Sequence, residues 1–223
     1  MTLAQRLTSE ALGTALLLAI IIGSGIMGER LAGGSVAIAL LANSIATGAG
    51  LIALIAAFGA IFDAHFNPMV TTATAFLRYL SWREAGLYMI FQCVGAFAGV
   101  ACAHWMFGEP TFFASHHARS GAAQWWSEFV ATFGLLSVII GCVRGRPQAV
   151  PYAVGCYIAA AYWFTGSTSF ANPAVTLARM ASDTFAGIRP ADALPFIVAQ
   201  VAGGLAATGV MGWLTTPPGR KNY

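Results

Sequence analysis

Two short polar stretches in an otherwise apolar chain carry the side chains best suited to bind a small molecule. They are HFNPMVT at residues 65 to 71 and FANPAVT at residues 170 to 176. Asn before Pro is a favoured helix N-cap, because the Asn side chain accepts a backbone N–H and Pro at the first helical position has no N–H to lose. The two N–H donors of the Asn amide stay available to a solute with oxygen lone pairs. One Asn-Pro alone would also fit a helix-initiating turn in a loop.

Residues that could support other chemistry are few. His116 and His117 are adjacent, but no acid or base accompanies them in the sequence, and such a pair is common in surface loops. The four cysteines lie singly in apolar stretches, without the spacing of a metal site or of a secreted disulfide framework; they are Cys93, Cys102, Cys142 and Cys156. We therefore expect reduced structural thiols, no metal or cofactor, and no enzyme activity.

The composition indicates a membrane protein. Of the 223 residues, 58% are hydrophobic and 9% are charged, whereas about 25% of the residues in soluble domains are charged. The apolar runs lack the alternation of a β-barrel, so the backbone must satisfy its hydrogen bonds as helices. The eleven basic residues are scattered rather than clustered, which argues against nucleic acid as a partner. The lipid bilayer is the expected environment.

Six apolar runs predict transmembrane helices, which need about 20 residues each. They cover residues 4 to 27, 35 to 60, 82 to 106, 122 to 143, 149 to 165 and 191 to 214. Two further segments, 67 to 79 and 172 to 182, are helical in composition but too short to cross, so they can only enter the membrane partway. We predict an all-α membrane protein with six transmembrane helices and two re-entrant half-helices, in a single domain over residues 1 to 223.

The two halves of the chain, about residues 1 to 108 and 120 to 216, repeat three landmarks in the same order. The first is Ser-Glu with a Thr four residues after the Glu, the second is Asn-Pro, and the third is Gln with a Gly three residues later. Each half has three spans, an odd number, so the second copy is inverted relative to the first. Inverted repeats bring broken helices together near the bilayer midplane. Two half-helix N-termini would then face one polar site, where their partial positive charge disfavours cations.

Basic residues in the loops predict the orientation. With the N-terminus in the cytoplasm, seven basic residues lie inside and four outside, in agreement with the positive-inside rule. The inner set is Arg6, Arg78, Arg83, Arg144, Arg146, Arg220 and Lys221, and the outer set is Arg30, Arg119, Arg179 and Arg189. We expect a multi-pass protein of the inner (plasma) membrane with both termini in the cytoplasm.

AHFNPMVT and NPAV, with the Glu and Gln-x-x-Gly landmarks, resemble the aquaporin family of major intrinsic proteins over nearly the whole chain. The resemblance implies a homotetramer with a pore through each protomer. It places the pore constriction at two Asn-Pro boxes, which are Asn67, Pro68, Met69 and Asn172, Pro173, Ala174. It also implies that Glu10 and Glu128 support the re-entrant loops and that His65 lines the cytoplasmic half of the pore. From the residues alone, each Glu could also be an ordinary acid in the first turns of a helix, and a lone His beside a turn is more often a local hydrogen-bond partner.

The selectivity filter departs from the family pattern. The resemblance places it at Thr47, near Ala160, at Ser169 or Phe170, and at Val175, where most of the family has Arg. Loss of this Arg removes a permanent charge and a fork of donors, and the small Thr and Ala should widen the constriction. Arg179 follows Val175 by four residues and so lies on roughly the same helix face. It would either supply a cation in the outer vestibule or pair with Asp183.

The expected function is a passive channel for small uncharged solutes: glycerol-like polyols, neutral arsenite and other metalloid hydroxides, and water. NPAV with TLARMASDTFAGI resembles the aquaglyceroporin-like channels associated with bacterial arsenic resistance. A water-selective aquaporin is one alternative, which the absence of the filter Arg disfavours. A coupled transporter or ion channel is another, and it would need titratable residues along the path, for which the spans offer only Glu10 and Glu128.

Overall fold

The structure is a computed structural model that describes residues 1–59 and 63–215. The predicted end of the second span at residue 60, the predicted end of the second repeat at residue 216, and the basic residues Arg220 and Lys221 lie outside the described residues. Throughout the described ranges, every element of regular structure is a helix.

Six long helices and two short ones follow the predicted order. The long helices are α1 (Leu3–Leu31), α2 (Val36–Gly59), α4 (Trp82–Phe107), α5 (Ala122–Gly145), α6 (Val150–Phe164) and α8 (Pro190–Leu214), and the short ones are α3 (Pro68–Phe76) and α7 (Pro173–Arg179). All the long helices except α6 are long and apolar enough to span a bilayer. Helix α6 has 15 residues and follows a 3₁₀ turn at Pro147–Ala149; together they extend about 28 Å. The predicted six spans and two half-helices are confirmed, with ends that differ by a few residues.

The half-helices begin at their Asn-Pro pairs and end earlier than predicted. Asn67 and Asn172 are the N-caps, and a Pro occupies the first helical position after each. Helix α3 stops before the predicted residue 79, because Arg78 has a φ of 64°, a left-handed conformation that an α-helix of L-residues cannot continue through. Helix α7 passes into a turn at Met180. Both elements therefore penetrate only part of the membrane.

The two halves pack with approximate two-fold symmetry. Helix α1 packs most extensively against α4, and α5 packs in the same way against α8. The counterparts α2 and α6 cross where Gly48 meets Gly155: a Cβ on Gly48 would lie 2.8 Å from the Gly155 oxygen. Small residues at such crossings let helix backbones approach closely. Each half-helix contacts α4, α8 and the other half-helix, which is the packing expected of an inverted repeat.

Candidate pore

The two Asn-Pro boxes meet through reciprocal hydrogen bonds. Nδ2 of Asn67 donates to the carbonyl oxygen of Ala171 at 2.8 Å, and Nδ2 of Asn172 donates to the carbonyl oxygen of Phe66, also at 2.8 Å. Each Asn is 5% exposed. Each box thus holds the loop that leads into the other box.

The same two Asn residues cap their half-helices. Oδ1 of Asn67 accepts the N–H of Met69 at 2.8 Å, and Oδ1 of Asn172 accepts the N–H groups of Ala174 and Val175 at 3.0 and 3.3 Å. A side-chain amide has two N–H donors. Among the described residues, one loop carbonyl oxygen accepts a hydrogen bond from each Asn. One donor of each Asn is left for the cavity that both residues line.

A buried carboxylate supports the first loop. Glu10 is 1% exposed and accepts the backbone N–H groups of His65 and Phe66, both at 2.8 Å. Nε2 of Gln92 donates to the same carboxylate at 2.7 Å and to Oγ1 of Thr71 at 2.9 Å. Phe66 has a φ of 50°, which a residue with a side chain rarely adopts, so these bonds hold a strained loop in place.

The second loop repeats this network. Glu128 is fully buried and accepts the backbone N–H groups of Phe170 and Ala171 at 2.8 and 2.9 Å. Nε2 of Gln200 donates to Glu128 at 2.7 Å and to Oγ1 of Thr176 at 2.9 Å. Ala171 has a φ of 49°, close to the value at Phe66. Both Glu residues therefore support the re-entrant loops, as the family resemblance implied.

One cavity of about 470 Å³ runs past both Asn residues. Asp63, Tyr79 and Arg144 lie at the end near the C-terminus of α5, and Tyr162, Phe170 and Arg179 lie at the other. Most of the wall is aliphatic and comes from four spanning helices: Leu17, Ile21, Leu51, Ile55, Leu135, Ile139, Val154 and Ile158. A wall with few polar groups offers hydrogen bonds without a strong binding site, which favours passage over retention.

Four residues of the boxes lie behind the cavity wall rather than in it, which corrects the predicted constriction. They are Pro68, Met69, Pro173 and Ala174, all buried and all without a place in the wall that the described residues form. Only one side of a short helix can face the cavity, and here it is the side of the capping Asn. Met69 packs instead in a cluster with Leu136 and Ala207.

His65 lies in the cavity wall. Its Nδ1 is 3.1 Å from Oγ1 of Thr71 and its Nε2 is 3.4 Å from Oγ1 of Thr74. The side chain is therefore both a pore-lining residue and a local hydrogen-bond partner, and the two interpretations of the sequence hold together.

The predicted filter position near Ala160 is wrong. Ala160 is exposed, whereas Ile158 and Tyr162 line the cavity. Two residues correspond to about 200° of rotation on an α-helix, so Ala160 and Tyr162 face opposite ways. Oη of Tyr162 is 3.2 Å from Oγ1 of Thr47. An aromatic residue therefore stands beside Thr47, and the expected widening by a small Ala does not occur there.

The loop before α7 contributes Ser169 and Phe170 together, and α7 itself contributes Val175 and Arg179. The guanidinium carbon of Arg179 lies 3.3 Å from the centroid of the Phe170 ring, and Nε donates to the carbonyl oxygen of Ala186. Arg179 is 2% exposed. Arg179 therefore lies in the cavity wall.

The alternative pairing of Arg179 with Asp183 is wrong. Asp183 accepts the backbone N–H of His116 at 2.7 Å and lies 2.9 Å from its ring Nδ1, and no ion pair joins it to Arg179 within the part of the chain described. The backbone N–H and the ring of His116 hold the pKa of the Asp183 carboxyl below its usual range. This contact ties the loop after α4 to the loop after α7.

Tyr162 is the principal cavity residue for which the sequence gives only a weak signal. Val154, Ile158 and Tyr162 recur at four-residue spacing and line the cavity together, which is a helix-face signal. The signal is weak in α6 because residues facing lipid are as apolar as those facing the cavity.

Six spanning helices and two half-helices that meet at a cavity define a transmembrane channel. The chain belongs to the major intrinsic protein family, whose model matches residues 1–169 and, in an overlapping second match, residues 144–222. This confirms the family resemblance seen in the sequence. Members of the family are channels, and the chain is an integral membrane channel for small neutral solutes.

Individual relatives agree with this assignment. The chain is 49% identical over 215 residues to aquaglyceroporin AqpS of Rhizobium meliloti (strain 1021), covering 96% of this chain and 92% of that protein. It is 30% identical over 181 residues to aquaporin NIP1-3 of Oryza sativa subsp. japonica, covering 78% of this chain and 62% of that protein. Its fold is similar to the X-ray structure of the aquaglyceroporin from Plasmodium falciparum, with a TM-score of 0.70 and 20% identity over 95% of both chains.

Proposed function

We propose that the protein is a passive channel for glycerol-like polyols and for neutral metalloid hydroxides such as arsenite, and that water passes as well. The observation that carries the proposal is a single cavity past two Asn residues that each keep one N–H donor. The hydroxyl oxygens of a solute accept hydrogen bonds from these N–H donors, which replace the hydrogen bonds that the solute made to water. The aliphatic wall contacts the carbon atoms of a polyol weakly. The relative with 49% identity, which is named an aquaglyceroporin, supports the same substrate class.

Val175 supports the passage of solutes larger than water. It lines the cavity and is 2% exposed, at the position where the family resemblance leads one to expect Arg. A Val side chain is shorter than Arg and donates no hydrogen bond, so it leaves a wider throat on this side of the pore.

The buried carboxylates favour passive flow over ion coupling. Glu10 and Glu128 each accept three N–H donors, two from the backbone and one from a Gln. A carboxylate held in this way stabilises a loop and is poorly placed to exchange a proton with a solute in the pore. The half-helix N-termini at the Asn pair add a positive potential that disfavours cations.

The proposal also includes a homotetramer in the plasma membrane with both termini in the cytoplasm. The family resemblance supports the tetramer, and the loop charges support the orientation. Of the four outer basic residues, Arg179 is buried and Arg119 is partly buried, which leaves Arg30 and Arg189 exposed on that side. Native mass spectrometry of the purified protein tests the oligomeric state.

Stopped-flow light scattering of proteoliposomes tests the channel and its width. We expect the parent to carry water, glycerol and arsenite faster than protein-free liposomes. Val175→Arg should lower the glycerol and arsenite fluxes about tenfold, which corresponds to roughly 1.4 kcal/mol of barrier, with a smaller effect on water. Val175→Ala is the matched control and should keep the glycerol flux. A parent without glycerol flux would refute the proposal, and a Val175→Arg protein with unchanged glycerol flux would refute the wide throat.

A further inference from the structure

We propose that Arg179 is the specificity-determining cation at the cavity end lined by Tyr162, Phe170 and Arg179, supplied from one helical turn beyond position 175. The inference rests on the proposed channel function and deepens it: Arg179 both excludes cations and hydrogen-bonds adjacent hydroxyl groups of a polyol. Val175 and Arg179 are four residues apart in α7 and both line the cavity.

The long side chain brings the charge back toward the level of Val175. Four residues place the Arg179 backbone about 6 Å further along the helix. Helix side chains tilt toward the N-terminus of their helix, and Arg179 follows this rule, since its guanidinium lies against Phe170 in the loop that precedes α7. The cation therefore reaches the constriction although the residue at position 175 is neutral.

The guanidinium of Arg179 is fixed in place rather than free in the vestibule. Nε donates to the carbonyl oxygen of Ala186, and the Phe170 ring covers one face of the planar group, a favourable cation–π geometry. Phe170 is itself held by an edge contact with Phe196, with centroids 5.3 Å apart, and by its backbone N–H bond to Glu128. The position of the charge is thus set by two well-packed elements.

The terminal nitrogens of Arg179 remain available to a solute. Among the described residues, none accepts a hydrogen bond from either Nη atom of this side chain, which is 2% exposed and lines the cavity. A guanidinium presents its N–H donors as a rigid fork. Such a fork suits two hydroxyl oxygens on neighbouring carbon atoms, so it recognises a vicinal diol better than a diol with separated hydroxyl groups.

Arg119, the other guanidinium against Phe170, has a different role. Its guanidinium carbon is 5.1 Å from the ring centroid, and all three of its nitrogens donate to carbonyl oxygens of loop residues, which are Gly187, Ser167 and Phe185. Arg119 therefore braces the loop around Phe170 and has no unused fork to offer a solute. Because both guanidinium groups lie against the Phe170 ring, the charge of Arg119 adds to that of Arg179.

The test uses the full-length protein in proteoliposomes, with two variants and one control. Arg179→Met removes the charge and the fork, whereas Arg179→Lys keeps the charge and loses the fork. Arg30→Met is the matched control, because Arg30 is another outer arginine whose side chain is 50% exposed in its pair with Glu109. Two quantities are measured in each protein: the K⁺ leak, and the ratio of 1,2-propanediol flux to 1,3-propanediol flux.

Arg179→Met should raise the K⁺ leak about tenfold or more, because a fixed charge at a buried, largely apolar passage repels cations strongly. Arg179→Lys should exclude K⁺ as the parent does. Both variants should lose the parent's preference for 1,2-propanediol, with the flux ratio falling about threefold as the bidentate contact is lost. Arg30→Met should match the parent in both quantities.

An Arg179→Met protein that excludes K⁺ and keeps the parent's diol ratio overturns the inference. If that variant does not give a monodisperse protein, Arg179→Lys decides alone, and an unchanged diol ratio in it overturns the inference equally. Absence of any diol flux in the parent is a different result, since it refutes the proposed channel function before Arg179 is tested.

Discussion

At the scale of single residues, we expect the side chain beside Thr47 to limit the width of the cavity at the end lined by Phe170 and Arg179. Tyr162 fills this side of the cavity and is 3% exposed. Tyr162→Ala removes the ring, so the flux of the four-carbon polyol erythritol relative to glycerol should rise about threefold. The lost packing should lower the free energy of unfolding by about 3 kcal/mol. Swelling rates of proteoliposomes in the two polyols check the first effect, and thermal unfolding in detergent checks the second.

Ala160 provides the control for this prediction. It lies on the same helix but is exposed, so Ala160→Leu should leave the erythritol to glycerol ratio unchanged. Equal ratios in the Tyr162→Ala protein and the parent would show that Tyr162 does not limit the pore.

Some residues of the site can be predicted from the sequence and others cannot. Asn67, Asn172 and the two buried Glu residues can be identified because their types recur at matching positions in the two halves of the chain. Tyr162 cannot be identified in this way, because counting back from Asn172 does not fix the rotation of α6. Thr168, Ser169 and Ala171 in that loop all have positive φ, at 62°, 50° and 49°, so the loop follows a path that residue counting cannot anticipate.

At the scale of helices, close backbone approach controls the packing of α8 on α5. A Cβ at Gly203 would overlap the carbonyl oxygen of Phe129, whereas Gly209 in the same helix has open space around it. Gly203→Ala should therefore destabilise the protein by about 1–3 kcal/mol through overpacking. Gly209→Ala should be neutral or stabilise by up to about 1 kcal/mol, because Ala is the better helix former. Thermal unfolding of both variants in one detergent compares them, and equal melting temperatures would contradict the close approach.

The sequence predicts the length of a helix where the thickness of the bilayer determines it. It does not predict the length where a local turn ends the helix. The length of the apolar runs predicts the spans, and the Asn-Pro pairs predict the half-helices. The early end of α3 depends on the left-handed backbone of Arg78, a residue type that gives no sequence signal for that conformation. Helix α6 is short because a 3₁₀ turn at Pro147–Ala149 takes up part of the crossing.

At the scale of the whole molecule, each half of the chain completes the polar site of the other half. The Asn of one box bonds to the loop carbonyl before the other box, while a Glu from each half holds its own loop. Backbone that is not helical at membrane depth needs such partners, because lipid offers none. We therefore expect each re-entrant loop to depend on the other half of the chain for part of its support.

A double-mutant cycle on the two Asn residues tests this dependence. Asn67→Ala and Asn172→Ala each remove a helix cap and one of the reciprocal bonds, so each should cost about 2 kcal/mol of unfolding free energy. Asn67→Ala removes the cap of α3 and so already loosens the loop whose Phe66 carbonyl oxygen Asn172 binds. The double variant should therefore cost about 1 kcal/mol less unfolding free energy than the sum of the two single variants. Asn43→Ala is the control: the Asn43 amide bonds to Ile21 and Ser24 in α1 and shares no partner with Asn172. Its effect should add to that of Asn172→Ala within about 0.5 kcal/mol.

Denaturant titrations in mixed micelles measure the unfolding free energy of each variant. Full additivity between Asn67 and Asn172 would mean that the two halves form their loops independently.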